Sequence, residues 1–346
     1  MSVKINLGME VRDFVHGGMV EDVSLRSFKG NVLISGGARS ERTALLSHVL
    51  NQFYTRVPEI GVLLIQLGSS EETYLYHLDK VYQYGAPELI IPYFTGEQFN
   101  DVNSHHFSRY INAVFGFHFE MRIITSILCR NYRKGRLPSS IVDFLEDLER
   151  CLRNHPYDEE FNESNIKSFE KAVEIFQEDP ILERTLSIPL ELPEWLNFWS
   201  RGGKICMDLS KCSIEQQKLL VMMIVQAIHN YVDHNNSSDP TGIVVIEDAD
   251  TVLEKPPNEE YRKNYEKNKD YSKRIEEENY FLTKEQIEEV FEDNNYLRNV
   301  QLEHVYYDLI GDEYRYRNIS LITVCEDPAK IYDFVSSRSQ IKLQMS

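Results

Sequence analysis

The sequence predicts an α/β fold, a mostly parallel sheet flanked by helices, on three observations. Short continuous apolar runs recur along the chain, several of them rich in Val and Ile. Such runs suit strands covered on both faces, as in parallel sheets. Amphipathic or apolar helical patterns separate the runs, and strands alternating with helices imply parallel pairing. The first unit is the most explicit: an apolar run, a glycine turn, a helix with one apolar face and a second apolar run.

Taken in order, Asn31–Ser35 (NVLIS) is the first buried strand and Gly36–Arg39 a tight turn. Ser40 is expected as an N-cap with Glu41 in the first helical turn, where a carboxylate meets the positive end of the helix. Leu45, Leu46, Val49, Leu50 and Phe53 then recur at helical spacing. Gly61–Leu67 (GVLLIQL) is a second buried strand. Leu89–Ile91 is short and stops before Pro92; Lys204–Leu209, Ile243–Ile246, Ile319–Val324 and Ile341–Leu343 complete the set. The clearest later helix is Ser213–Val232.

Two regions read as insertions. Residues 134–200 are polar, carboxylate-rich and helical, and include Trp195 and Trp199; residues 254–300 are nearly half charged, with both signs mixed, as expected of a solvated helical excursion or a partner-binding arm. The expected organisation is therefore a short lead-in over 1–30, a core from 31–133 and 201–346, a helical insertion at 134–200 and a charged excursion at 254–300.

Composition narrows the function classes. The chain has 346 residues, 42% hydrophobic and 27% charged, a globular balance. Its formal net charge of −18 argues against non-specific DNA binding by a bare monomer, although a local basic surface is compatible with it. The cysteines number 5, scattered and without a CxxC pair, which argues against a disulfide framework or a zinc site. His105 and His106 adjoin but lack companions at ligand spacing. No run approaches the roughly 18 apolar residues of a spanning helix, and MSVKINLGMEVRDF has no apolar signal-peptide core. A soluble cytoplasmic protein without membrane contact is expected.

The residues that point to chemistry are Gly36–Thr43 (GGARSERT) and Ile243–Asp250 (IVVIEDAD). A phosphate-binding loop needs glycines, so that consecutive N–H groups converge on phosphate oxygens. It also needs a helix N-terminus, a lysine for the β- and γ-phosphates and a Ser/Thr hydroxyl for Mg²⁺. The candidate loop is Gly36, Gly37, Ala38, Arg39, Ser40, Glu41, Arg42 and Thr43; Gly36 fits the first glycine and Thr43 the metal ligand. In IVVIEDAD a strand ends in two acids: Glu247 is placed to hold the Mg²⁺ water shell and Asp248 to orient an attacking water. Two acids that merely cap a following helix are the plain alternative.

Together these elements resemble the FtsK/HerA group of P-loop ATPases, which includes type IV secretion and conjugation ATPases and has a RecA-like core. The likeness covers most of the chain. Ile5–Asp13 with Val20–Val23 is similar to the family's lead-in, and GGARSERT aligns without a gap on its GTTGSGKT-like loop. KICMDLS (Lys204–Ser210) resembles its "vvidLS" strand, IVVIEDAD its acidic Walker B, and EYRYRNISLITVCEDPAK (Glu313–Lys330) its "eGRKygi" element and following strand. The resemblance implies ATP and Mg²⁺ as cofactors and an oligomer, often a hexameric ring that moves DNA or protein. By the same resemblance Arg315 or Arg317 would reach a neighbouring subunit's nucleotide, a choice the spacing leaves open, and Glu326 stands at the sensor glutamine, after Cys325.

The departures sit in the loop. Arg39 and Glu41 replace family glycines and Arg42 replaces the lysine. Arginine is a larger planar fork, not a lysine isostere. Glu41 sets a carboxylate where phosphate charge belongs, a cost on the order of a few kcal/mol in a partly desolvated site. If the turn requires positive φ at 39 or 41, each side chain there adds about 1 kcal/mol or more. With no phosphate bound, however, Glu41 answers the free N–H groups and could take the phosphate's role. The reading is a P-loop ATPase-fold subunit with weakened or lost hydrolysis, a scaffold or regulator in a DNA-processing or translocation complex. Its expected partners are its own copies, a nuclease, an active ATPase or a secretion component, with DNA reached through the assembly. The alternative is an active ring-forming DNA translocase using Arg42 for the lysine.

Overall fold

The computed structural model describes residues 3–9, 20–68, 73–92, 128, 138, 140–153, 159–187, 192–232, 240–255, 307 and 318–345. The chain divides into two compact units, one of residues 1–95, 181–254 and 306–346, the other of 96–180 and 255–305.

In chain order the described elements are β1 (Lys4–Met9), β2 (Val20–Ser24), β3 (Gly30–Gly36), α1 (Arg39–Arg56), β4 (Gly61–Gln66), β5 (Lys80–Gln83) and β6 (Ile91–Pro92). The helices α2 (Ile141–Arg153), α3 (Glu159–Glu178) and α4 (Pro180–Thr185) follow, then β7 (Leu186–Ser187), α5 (Glu194–Ser200), β8 (Lys204–Asp208) and α6 (Ile214–Tyr231). The chain closes through β9 (Gly242–Glu247), β10 (Ile319–Cys325), α7 (Asp333–Arg338) and β11 (Ser339–Met345).

The larger unit is built on a sheet of seven strands in the order β11-β3-β10-β9-β4-β8-β5. Every pairing in it is parallel. The mostly parallel α/β sheet expected from the sequence is therefore the fold. Alternate residues divide its faces. Val32, Ile34, Ile322, Val324, Ile243, Val245, Val62 and Leu64 share one core with Leu46, Val49, Leu50 and Phe53 of α1. That helical stripe is the one the spacing predicts, with Leu45 only partly buried at its margin. Phe53 meets Phe28 edge to face at 5.0 Å. Helix α6 is buried all round from Leu219 to His229, as a helix without a polar face must be. It starts at a reciprocal cap: the Gln216 N–H donates to Ser213 Oγ at 3.3 Å, and the Ser213 N–H to Gln216 Oε1 at 2.8 Å. Gln217 Nε2 donates to the carbonyls of Leu67 (2.9 Å) and Leu209 (3.0 Å), fixing α6 to the ends of β4 and β8.

The lead-in residues form an antiparallel pair, β1 with β2. Gln52 ties it to α1 by exchanging two 2.7 Å hydrogen bonds with the Asn6 backbone. Both tryptophans are core residues of the sheet unit. Trp195 Nε1 donates to the Ile90 carbonyl at 2.7 Å, and Trp199 wedges between the first residues of β4 and β9. A Cβ on Gly61 would stand 2.0 Å from the Trp199 carbonyl oxygen, and one on Gly242 2.4 Å from its Cζ2.

In the other unit, α2 and α3 pack through stripes at helical spacing: Ile141, Phe144, Leu145 and Leu148 from α2, and Phe169, Ala172 and Phe176 from α3. The charged segment 254–300 lies almost wholly outside the described residues. Among the described residues no helix is long and apolar enough to cross a membrane.

Because the first residue of β4 rests on a backbone carbonyl, a methyl group there must displace α5 or the strand. Gly61→Ala is expected to cost about 1–3 kcal/mol as an overpacking change. It would read as a lower urea midpoint at unchanged slope; an unaltered midpoint would show that Trp199 yields without cost.

Candidate functional site

The site lies at the carboxyl ends of the parallel strands, and the register places it there. Cys325 of β10 pairs with Ser35 of β3, and Thr323 with Ile246 of β9. The loop after β3, Glu326 after β10 and the acids ending β9 consequently emerge along one edge. Hydrogen bonds through the Glu326 backbone lock them together: the Gly36 N–H donates to the Glu326 carbonyl at 3.0 Å, and the Asp250 side-chain Oδ2 accepts from the Glu326 N–H at 2.7 Å.

Within the loop, positive φ falls on the two retained glycines, Gly36 at +78° and Gly37 at +61°. Arg39 and Glu41 lie inside α1, so their side chains add no left-handed strain at the lost glycines. Gly36 and Gly37 are needed on a second ground. A Cβ on Gly36 would stand 2.4 Å from the Met345 carbonyl oxygen, and one on Gly37 2.5 Å from Glu41 Oε2. The helix begins two residues earlier than the sequence suggests. Ala38, not Ser40, is its N-cap. The reason is Glu41, whose Oε2 accepts the Ala38 N–H at 2.9 Å and holds the turn from within the helix.

The arginines are also engaged within the site. Arg42, buried, donates through Nη1 to the carbonyls of Gly37 (2.8 Å) and Gly36 (3.2 Å). Arg39 Nη2 lies 3.0 Å from Asp248 Oδ2, and Arg42 Nη2 stands 4.0 Å from Asp248 Oδ1. Asp248 has left-handed backbone geometry, φ +56°, which aspartate tolerates better than most residues. Its carbonyl accepts from the Thr251 N–H and hydroxyl.

Glu247 is buried, 3% exposed. Its Oε1 accepts from the Tyr76 hydroxyl at 2.6 Å and from Thr43 Oγ1 at 3.4 Å. Its Oε2 is buried without a hydrogen-bond partner. Burial pushes the Glu247 carboxyl above the ordinary range. Tyr76 pulls it back, Asp248 pushes with burial, and Arg39 and Thr43 oppose. Asp248 is likewise raised by burial, against Arg39 and Arg42 and with Asp250 and Glu326. Tyr76 is raised by its own burial and then by the Glu247 charge, so it stays a donor. Burial also pushes the Cys325 thiol up to about 12, which leaves it neutral.

The structure thus brings Gly36 to Thr43, Glu247, Asp248 and Glu326 to one edge; Glu326 takes part through its backbone, with its side chain exposed. Arg315 and Arg317 lie outside the described residues. Two site residues escape sequence reasoning. Tyr76 stands in a short 3-10 turn that Ser47 Oγ anchors by donating to the Leu75 carbonyl at 2.7 Å. No pattern marks it among neighbouring tyrosines. Gly68 follows β4, and a Cβ there would fall 1.9 Å from Asp248 Oδ2. A glycine directly after a buried strand was the available signal. Asp208 and Ser210 of the KICMDLS segment serve a turn: Asp208 Oδ1 accepts from the Ser210 N–H at 3.0 Å and from its hydroxyl at 2.6 Å.

Tested against Mg²⁺ and a nucleotide, the two halves of the site differ. The orphaned Oε2 of Glu247 beside the Thr43 hydroxyl is a donor set that suits a hydrated Mg²⁺. The loop does not suit phosphates as it stands: Glu41 already occupies the Ala38 N–H and Arg42 is turned to loop carbonyls.

No protein-family model matches the chain, and no curated protein matches it by sequence. Among solved structures, VirB4 of Thermoanaerobacter pseudethanolicus superposes with a TM-score of 0.56 at 10% identity, covering 99% of this chain and 84% of that one. At that identity the likeness is one of fold. Together with the parallel sheet it gives the chain a RecA-like α/β P-loop NTPase architecture.

The raised Glu247 carboxyl has a definite pH consequence. A folded-state pKa above the unfolded one contributes stability that is present below the unfolded value and lost as pH rises through the folded value. Wild type should therefore lose more stability than Glu247→Gln between about pH 4 and neutrality in urea titrations. Tyr76→Phe removes a contact that lowers the Glu247 pKa, so its loss should extend to higher pH. Parallel curves for the three proteins would show that Glu247 does not titrate anomalously.

Proposed function

We propose that this chain is a P-loop ATPase-fold subunit of the HerA/FtsK and VirB4 type, with hydrolysis weakened or lost, serving as an oligomeric scaffold or regulatory subunit of a DNA-processing or translocation complex. The observation that carries this reading is the Glu41 carboxylate on the Ala38 N–H, 2.9 Å away. It supplies from within the helix the negative charge that a phosphate would bring to the loop. Support also comes from the pairing of Asp248, the candidate general base, with Arg39.

In this reading residues 134–200 and 254–300 are insertions on an ATPase-like core. The acidic overall charge and the mixed-charge 254–300 segment suit contacts with proteins, such as an active ATPase, a nuclease or a secretion component, better than direct grip on DNA. Copies of the chain, or of an active relative, form the oligomer.

One observation favours the alternative, an active ATP-driven DNA translocase. Thr43 and the half-unpartnered, buried Glu247 keep a metal-suited corner that a purely structural fold has no need of. In that case Thr43 and Glu247 hold Mg²⁺, Asp248 is the base, Arg42 serves as the loop cation, Glu326 senses the nucleotide, and Arg315 or Arg317 acts on a neighbour's.

Phosphate release from ATP by the purified chain, with and without double-stranded DNA, separates the two. The scaffold reading predicts a rate indistinguishable from that of Glu247→Gln under both conditions, and self-association in sedimentation that does not require ATP. DNA-stimulated release abolished by Glu247→Gln would establish the translocase instead.

A further inference from the structure

We propose that Arg39 is the residue that keeps nucleotide out of this loop, by clasping Asp248 across the site. The inference rests on the reading of the loop given above and deepens it. Loss of the family lysine is the obvious reason for a silent loop, but the geometry assigns the larger role to a different side chain.

Arg39 is the first residue of α1, and Asp248 directly follows β9. Their 3.0 Å ion pair therefore bridges the loop helix to the acid strand over the carboxyl edge of the sheet. The bridge is seated closely. Gly68, just after β4 on the far side of β9, lies against both partners: a Cβ there would be 1.9 Å from Asp248 Oδ2 and 3.1 Å from Arg39 Nη2. Asp248 adopts φ +56° where it meets Arg39, and Arg42 approaches its other oxygen at 4.0 Å. The pair is only partly exposed, with 35% of the Arg39 and 19% of the Asp248 side chain open to solvent. Arg42, by contrast, is already buried against the Gly36 and Gly37 carbonyls. Arg39 is thus the loop arginine that reaches across to Asp248.

A phosphate arriving at this helix end meets Arg39 already neutralised by Asp248 and held by Gly68. Entry requires the pair to part, which leaves the Asp248 carboxylate half-buried beside an incoming anion. The clasp is thus an electrostatic and steric exclusion in one. Removing either partner opens the loop: without Arg39 there is room, and without the Asp248 charge Arg39 is released to meet the phosphate.

Titration of Mg²⁺·ATP into the whole chain, followed by melting and calorimetry, tests this. Wild type and Arg39→Lys, which keeps the pair, are expected to bind only weakly. Arg39→Ala and Asp248→Asn are each expected to bind at least about tenfold more tightly. The double variant should gain no more than either single change, because both release one contact. Adding Thr43→Ala to Arg39→Ala should remove the Mg²⁺ dependence of the gain, which locates it at the loop. If neither Arg39→Ala nor Asp248→Asn gains affinity, the clasp is overturned while the scaffold reading stands. If wild type itself binds as tightly as the variants, the clasp is likewise overturned, and the scaffold reading is decided separately by the phosphate-release assay. The Arg39 side chain is 35% exposed, and melting of each variant without ligand verifies that it folds.

Discussion

The site exists because three parallel strands end level with one another. With β10 lying between β3 and β9, the glycine turn, Glu326 and the two acids meet at one edge although they lie far apart in sequence. The Gly36 N–H on the Glu326 carbonyl and the Glu326 N–H on Asp250 join the three strand ends directly. A parallel sheet needs crossovers covering both faces. The apolar stripe of α1 against one face and the all-round burial of α6 are therefore conditions for the site as well as for stability.

At that edge the loop answers its own charges. A helix N-terminus with free N–H groups attracts an anion, and here the anion is Glu41 of the same helix. A buried guanidinium seeks oxygen acceptors, and Arg42 finds the carbonyls of the loop itself. A partly buried carboxylate seeks a cation, and Asp248 has Arg39. Glu41, Arg42 and Arg39 thus each have a partner within the site. Glu247 stands apart. Its second oxygen is buried without a partner, and its carboxyl is raised by burial despite the Tyr76 hydroxyl.

The fold was legible where periodicity carries the signal. The apolar runs at 31–35, 61–67, 204–209, 243–246 and 319–324 fall on strands of the one sheet, because strands covered on both faces must be nearly continuously apolar; 341–343 falls on edge strand β11, where Lys342 is exposed. Edge strand β5 was not legible: Lys80–Gln83 is only four residues long, and it exposes Val81 while burying Tyr82. The turn after β3 was legible through Gly36, whose left-handed backbone only glycine adopts readily. The strain anticipated at Arg39 and Glu41 does not arise, since the helix starts at Arg39 and takes both into regular geometry. The pairing of Arg39 with Asp248 and of Tyr76 with Glu247 could not be read from sequence. Each joins residues remote in the chain, and their meeting depends on strand order.

The central claim is that the loop is closed on itself before any ligand arrives, and the Ala38 amide reports it most directly. Its hydrogen exchange can be followed by NMR in the free protein, in Glu41→Gln, and with millimolar Mg²⁺·ATP. The account predicts slow exchange in the free protein, faster exchange in Glu41→Gln, and no further protection of wild type by Mg²⁺·ATP. Fast exchange in the free protein that becomes slow only when Mg²⁺·ATP is added would contradict it, showing a loop that stands open and is filled by nucleotide.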